Sequence, residues 1–262
     1  MEAYTFHEGA LPSGVSLDFE PALFNRHAFL LLQATTGWLS FYLLDHKRNR
    51  AVASIHVHVE NRTARSPLKA PFGSVEFSHR IKPKMLFDFF QFVEARMIAM
   101  EVCEIFIKNP PRAYSPEGLA LLETCLLNQG YVVSEAETGA VLQVSDRRYP
   151  DVIRHTEKLR LRQAHRAGLH FRQVPPSDLE VLFNFIAGCH AEKGYVLSIS
   201  FERLRTAVQS FPDHYLLFAL AEDERMVAAS VYIRVKRDIL YNFLVNHLKW
   251  HNQLSPRTLL LQ

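Results

Sequence analysis

Two ten-residue segments, 50–59 and 226–235, share one pattern of apolar and polar residues. The first reads RAVASIHVHV and the second MVAASVYIRV, and they align without a gap at an offset of 176 residues. In the first segment, Ile55, Val57 and Val59 alternate with Ser54, His56 and His58. Alternation with a period of two is typical of a β-strand that buries one face, so each segment is predicted to be a half-buried strand.

The flanking segments also match. A predicted strand and a charged turn precede each copy: strand 38–44 with DHKRN, and strand 215–221 with EDER. A further short strand follows each copy, at 72–77 and at 239–245. Any two amphipathic strands can align over ten residues, but three successive matching elements favour a duplication. We therefore predict two related units, 1–147 and 148–262, in a mixed α/β (α+β) fold.

Around these strands the first unit has clear helix signals. Pro83 begins a helix that keeps 3.6-residue spacing to Met100, and Ser115-Pro116 begins a second that ends at Gly130. Residues 104–107 and 131–144 are predicted to add strands, while residues 1–20 and 60–71 are predicted to be irregular.

The second unit is predicted to be shorter. It has a basic helix over 152–167, a helix capped by Ser177, and another from Phe201. After its third strand the sequence ends in SPRTLLLQ, which looks like a helix start whose apolar run has nothing to pack against. Either this unit is incomplete, or a partner such as a second copy covers the open sheet edge, since an uncovered edge favours association.

Composition sets the broad class. The chain has 262 residues, 48% of them hydrophobic and 22% charged, which is typical of a globular protein. A net charge of +3 is too small to indicate nucleic-acid binding by itself. Three isolated cysteines, no signal peptide and no apolar run of about 20 residues favour a soluble cytoplasmic protein without a membrane partner.

Several kinds of chemistry lack their usual motifs. The sequence contains no GxSxG elbow, P-loop, GxGxxG or HExxH. His56 and His58 are two apart on one predicted strand face, but no third ligand has a recognisable spacing, so no metal is expected.

The order of predicted elements, a helix, a strand, a charged turn, a strand, a third strand and a helix start, resembles the GNAT acyltransferase fold. Two such units in tandem are similar to the FemAB-like acyltransferases. Three segments carry the resemblance: the basic helix KLRLRQAHRAGLHFRQV (158–174), the strand pair FPDHYLLFALAEDERMVAASVYIRV (211–235), and the helix start SPRTLLLQ (255–262).

The resemblance implies acyl transfer to an amine of a small molecule or a peptide, from acetyl-CoA, another acyl-CoA or an aminoacyl-tRNA. In such folds the carrier's phosphates meet the free amides of a helix N-terminus. The glycine-containing loop expected before that helix is absent, because residues 78–85 and 246–258 contain no Gly. A non-catalytic scaffold or binding protein that keeps the fold is therefore the alternative.

Candidate site residues follow from these matches. Tyr241 and Asn242 lie on the strand that faces the acyl group in the family, and His190 at a helix end offers a base, so these three are the catalytic candidates. Lys193, Tyr195 and Arg112 are the candidates for binding substrate. The candidates for binding the carrier are Ser255, Arg257, Arg160 and Arg162. For each of them, the competing interpretation is an ordinary packing, turn or solvated surface residue.

Overall fold

The computed structural model describes residues 3–249 and 256–260. The chain divides into two compact units, Met1–Val141 (unit 1) and Leu142–Gln262 (unit 2). This division lies within the segment 131–144. Each unit combines helices with a β-sheet, so the predicted mixed α/β fold class is confirmed.

Unit 1 contains seven strands and three α-helices among its described residues. They are β1 (Tyr4–Glu8), β2 (Ser16–Leu17), α1 (His27–Gln33), β3 (Trp38–Asp45), β4 (Arg50–Glu60), β5 (Thr63–Ser66), β6 (Glu76–Phe77), α2 (Pro83–Ala99), β7 (Glu104–Ile107) and α3 (Pro116–Asn128). The strand order is β1-β3-β4-β5-β7, and β2 and β6 also pair with β4. Two pairs, β2 with β4 and β5 with β7, are parallel.

Strand β4 is buried on both faces, so the prediction of a half-buried strand is wrong here. The apolar residues of α2 and α3 pack against the face that carries Ile55 and Val57. On the other face Leu11, Val15 and Leu17 pack against Ala51 and its neighbours on β3. The polar side chains of that face remain compatible with burial because they meet polar or aromatic neighbours, as when Ser40 Oγ lies 2.8 Å from His56 Nδ1.

Three loop or strand assignments in unit 1 are also wrong. Residues 1–20 contain β1 and β2, and residues 60–71 contain β5. Residues 131–144 form no strand in the described chain, and residues 132–148 are all exposed. Strand formation depends on a neighbouring strand as well as on the local pattern. Strands β1 and β5 pair with the longer strands β3 and β4, whereas residues 131–144 pair with no described strand.

Unit 2 contains four strands and five α-helices in its described part. They are α4 (Tyr149–Val152), α5 (His155–Arg166), β8 (Leu169–Gln173), α6 (Leu179–Ala191), α7 (Phe201–Ser210), β9 (Tyr215–Glu222), β10 (Arg225–Lys236), β11 (Ile239–His247) and α8 (Pro256–Leu260). The sheet is antiparallel in the order β11-β10-β9-β8. Helices α5 and α8 pack on one side of it, and α6 packs on β10 and β11.

Unit 2 differs from the sequence prediction in four respects. The basic helix is interrupted between α4 and α5, and β8 was not foreseen. The Ser177 hydroxyl donates to Asp178 and does not cap α6. The apolar tail is not left uncovered, because Leu259 and Leu260 are buried against Leu161 and other residues of unit 2.

The strand pairs β3–β4 and β9–β10 have the same register. Ala53 lies opposite Leu43, and Ala229 lies opposite Ala219, so both partners are displaced by the same 176 residues. The same displacement holds as far as Val57, which lies opposite Leu39, and Ile233, which lies opposite Tyr215. A third antiparallel strand, β6 or β11, pairs with the far edge of each central strand. The strand meanders of the two units therefore correspond in pairing as well as in sequence.

Candidate functional site

The end of α6 and strand β11 bring polar residues together in unit 2. Leu182, Ile186 and Cys189 form the buried side of α6, which packs on β10 and β11, so the helix end lies over the sheet. Just beyond it, Lys193 Nζ donates a hydrogen bond to Oδ1 of Asn246 on β11. The same oxygen accepts from the backbone amide of His247 at 2.9 Å. Asn246 is only 3% exposed, so it holds the lysine ammonium against the sheet.

His190 is the titratable group beside this pair. Burial, and secondly the charge of Lys193, lower the pKa of the His190 imidazole below its ordinary value. Its Nδ1 atom is buried and has no hydrogen-bond partner among the described residues. The Tyr195 ring lies 6.4 Å from the imidazole, centroid to centroid. A neutral imidazole next to a fixed ammonium can accept a proton while the ammonium stabilises negative charge.

Strand β11 carries a bulge, and its two catalytic candidates, Tyr241 and Asn242, lie on opposite faces because they are consecutive. Leu244 lies opposite Val231 and Asn242 opposite Tyr232, which leaves Phe243 as the extra residue. Tyr241, opposite Ile233, shares the face of Asn246, whereas Asn242 is exposed on the other face. Tyr241 and Asn246 are separated by four rungs of β10, roughly 13 Å along the strand. Bulges of this kind are frequent next to active sites.

Three of the remaining candidates are described on other elements, and the side chains of the other two lie outside the described residues. Arg112 belongs to unit 1, where its guanidinium lies 3.6 Å from the Glu123 carboxylate. Arg160 forms an ion pair with Glu157 at 2.6 Å on the exposed side of α5, and Arg162 is exposed there too. Ser255 and the side chain of Arg257 lie outside the described residues.

Unit 2 does, however, expose a run of cations around α5 and β8. Arg148 and Arg160 have acidic partners in Asp151 and Glu157. For five others no ion pair is formed among the described residues: Arg154, Lys158, Arg162, Arg166 and Arg172. Leu161 and Ala164 bury the opposite side of α5. Such a surface can attract the phosphates of a polyanion.

The described residues contain neither a candidate metal cluster nor a candidate membrane span. No group of three or more His, Cys, Asp or Glu side chains there is arranged to hold a metal ion. Within the same ranges, no helix has both the length and the apolar character needed to cross a membrane.

The chain is similar to a protein of known structure, but its sequence matches no characterised family. No family model and no curated protein matches the sequence. The structure is similar to the C-terminal DUF2156 domain of a putative lysylphosphatidylglycerol synthetase from Agrobacterium fabrum, with 13% sequence identity and a TM-score of 0.47. The match covers 80% of this chain and 62% of that domain.

Sequence reasoning missed Asn246. An alternating pattern would place Asn242 and Asn246 on one face, and the bulge at Phe243 removes that equivalence. The available signal was a polar residue within the apolar strand FLVNH, and burial of its amide became evident only with the fold.

Proposed function

We propose that unit 2 transfers an acyl group from a CoA or tRNA carrier to an amine. The observation that carries this proposal is the cluster of His190, Lys193 and Asn246 beside the bulged strand β11. Unit 2 has the order of elements that the sequence resemblance to GNAT-like folds predicted, from the helices through β9, β10 and β11 to α8, and this order supports the proposal.

The chemistry matches what these side chains can supply. The amine nitrogen attacks the acyl carbonyl, a C–N bond forms, and the C–S or C–O bond to the carrier breaks. His190 accepts the proton that the amine loses, and the departing thiolate or alkoxide takes up a proton. The Lys193 ammonium stabilises the negative charge on the carbonyl oxygen, while Asn246 keeps that ammonium in place.

An aminoacyl-tRNA is a candidate donor because of the exposed cations around α5. Each phosphate that a cation neutralises releases a counterion, so binding of this kind weakens steeply as salt rises. Replacing Arg160 and Arg162 together should weaken tRNA binding and reduce its salt dependence. Unchanged affinity in that double variant would remove tRNA as the donor.

The proposal is tested with acetyl-CoA and aminoacyl-tRNA in binding and transfer assays. His190→Gln and Lys193→Met should each lower the transfer rate by about 100-fold, because each removes one catalytic contribution. His214→Gln and Lys236→Met are matched controls in unit 2, outside the cluster, and should leave the rate unchanged. Equal rates in all four variants would refute the assigned roles.

The alternative is a non-catalytic scaffold that keeps the acyltransferase fold. It is favoured by the absence of Gly from residues 246–258, where a phosphate-binding loop would be expected. If neither carrier binds the full chain and no acyl transfer is detected, the scaffold interpretation replaces the enzymatic one. A homodimer formed through the β11 edge belongs with that interpretation and is tested by measuring the mass of the protein in solution.

A further inference from the structure

A small hollow lies at the end of the β4–β5 hairpin in unit 1. Its volume is about 170 Å³, and it is lined by His58, Glu60, Asn61, Thr63, Arg65 and Leu68. We call it the hairpin hollow. If a water molecule takes about 30 Å³, this space suits a molecule of roughly six non-hydrogen atoms.

The register of the hairpin explains why these side chains converge. His58 lies directly opposite Arg65, and Glu60 lies directly opposite Thr63, so the four share one face. Glu60 and Arg65 are diagonal neighbours, with Cα atoms about 7–8 Å apart by the usual geometry of antiparallel strands. A carboxylate and a guanidinium therefore flank the same hollow.

The turn of the hairpin is hydrogen-bonded to the segment that precedes β7. Its turn residues Asn61 and Arg62 both have positive φ, 49° and 62°. Arg62 is not a residue that favours this region, and its conformation is fixed from outside. Its Nε donates to the Glu101 carbonyl at 2.9 Å, and its own carbonyl accepts from the Cys103 amide at 2.8 Å. The Arg62 side chain is therefore hydrogen-bonded to Glu101 and does not line the hairpin hollow.

Two aromatic contacts fix the side chains of the hollow. The Arg65 guanidinium lies over the Phe106 ring, 4.5 Å from its centroid, which orients the planar group. The His58 ring packs edge-on against Trp38 with centroids 5.3 Å apart, and His58 is only 8% exposed. One charged group is therefore preoriented, and the base of the hollow is a buried polar ring.

The two charges of the hollow have no oppositely charged partner among the described residues. Neither Glu60 nor Arg65 forms an ion pair with any other side chain of the described chain. A guanidinium with free N–H groups binds a carboxylate through two parallel hydrogen bonds, and a free carboxylate binds an ammonium. A ligand that satisfies both carries a carboxylate and an ammonium on a small frame.

We propose that the hairpin hollow binds a small zwitterion of the amino-acid class, with its carboxylate on Arg65 and its ammonium towards Glu60. Thr63 and Asn61 supply further hydrogen-bonding groups at the rim. This site is independent of the acyl transfer proposed for unit 2, so either proposal can fail without the other.

Titration of the full ¹⁵N-labelled chain with glycine, acetate and methylammonium, followed by amide chemical shifts of residues 58–68, tests the site. Glycine should give saturable shifts with a dissociation constant of about 1 mM, and the two singly charged probes should bind at least about tenfold more weakly. Arg65→Gln and Glu60→Gln should each weaken glycine binding about tenfold or more. Both side chains are exposed, so the fold should survive.

The control is Arg80→Gln, which removes an exposed arginine of the same unit that does not line the hollow and should leave glycine binding unchanged. Absence of saturable shifts with glycine would overturn the proposal. Glycine binding that persists in both Arg65→Gln and Glu60→Gln would overturn it too, as would acetate binding equal to glycine binding.

Discussion

At the scale of single residues, His56 shows how unit 1 accommodates polar groups in its core. His56 is buried, with 7% of its surface exposed, and its Nδ1 lies 2.8 Å from the Ser40 hydroxyl while the Tyr42 ring is 5.8 Å away, centroid to centroid. Burial, and secondly the charge of His27, lower the pKa of His56 to about 4. The folded protein therefore holds this ring neutral at pH 7.

This predicts a loss of stability in acid. The folded pKa lies below the unfolded value near 6.5, so His56 contributes fully above pH 6.5 and its contribution falls as the pH drops towards 4. About 2.5 pKa units correspond to about 3 kcal/mol. Denaturant unfolding of the wild type and of His56→Gln at pH 7 and pH 4 should show the smaller pH dependence in the variant. The exposed control His79→Gln should behave as the wild type does, and an equal acid loss in all three proteins would contradict the prediction.

A second prediction concerns the buried amide of Asn246. Replacing it in Asn246→Leu removes the acceptor of Lys193 and should destabilise unit 2 by about 1–3 kcal/mol. Adding Lys193→Met to the same chain removes the ammonium that has lost its partner. The free energy of unfolding of the double variant should therefore fall by less than the sum of the decreases in the two single variants. The four free energies of unfolding form a double-mutant cycle, and strict additivity would show that the two side chains are not coupled.

At the scale of elements, helix α8 is short but is stabilised by packing against the rest of unit 2. With five residues it is too short to be stable alone, yet Leu259 is only 1% exposed, against Leu161, Leu220 and Ala228. The helix is held by the core of unit 2 and not by its own hydrogen bonds.

Leu259→Ala should therefore destabilise unit 2 by about 2–5 kcal/mol, since it leaves a cavity under the helix. Leu240→Ala is the matched control, because Leu240 on β11 is 51% exposed and its truncation should cost less than about 0.5 kcal/mol. Thermal unfolding of the full chain measures both. Similar effects in the two variants would mean that α8 does not pack as described.

At the scale of the whole molecule, the division between the units falls in an exposed segment. All residues from 132 to 148 are exposed, including Val132 at 84% and Val144 at 85%. No helix or strand of the described chain lies between α3 and α4. Exposed segments without secondary structure are the preferred sites of proteolysis.

Brief digestion with trypsin should therefore cut first after Arg147 or Arg148 and release a fragment that begins at Arg148 or Tyr149, as mass spectrometry would show. The double variant Arg147→Gln/Arg148→Gln should resist that cut while the other sites stay as slow as before. First cleavage within α2 or within β10 would contradict the assignment of the exposed segment.

Some elements and site residues were predicted from the sequence, and others were not. The helix from Pro83 and the three strands β9, β10 and β11 were predicted because their patterns are local and long, whereas the short strand β7 was located because Pro110 and Pro111 follow it closely. Strands β5 and β6, with four and two residues, were not located correctly because a strand this short depends on the edge it meets. Of the site, His190, Lys193 and Tyr195 were identified from one helix end, whereas Asn246 was not.

The amino-acid sequence by itself determined the fold class, the central strand pairs and their 176-residue correspondence, because alternation and turn chemistry act over a few neighbouring residues. Only the tertiary structure decided which polar residues are enclosed, which face each residue of β11 occupies, and that Leu259 is covered. Burial and register depend on residues far apart in the chain, and one bulged residue at Phe243 exchanges the faces of the residues on either side of it.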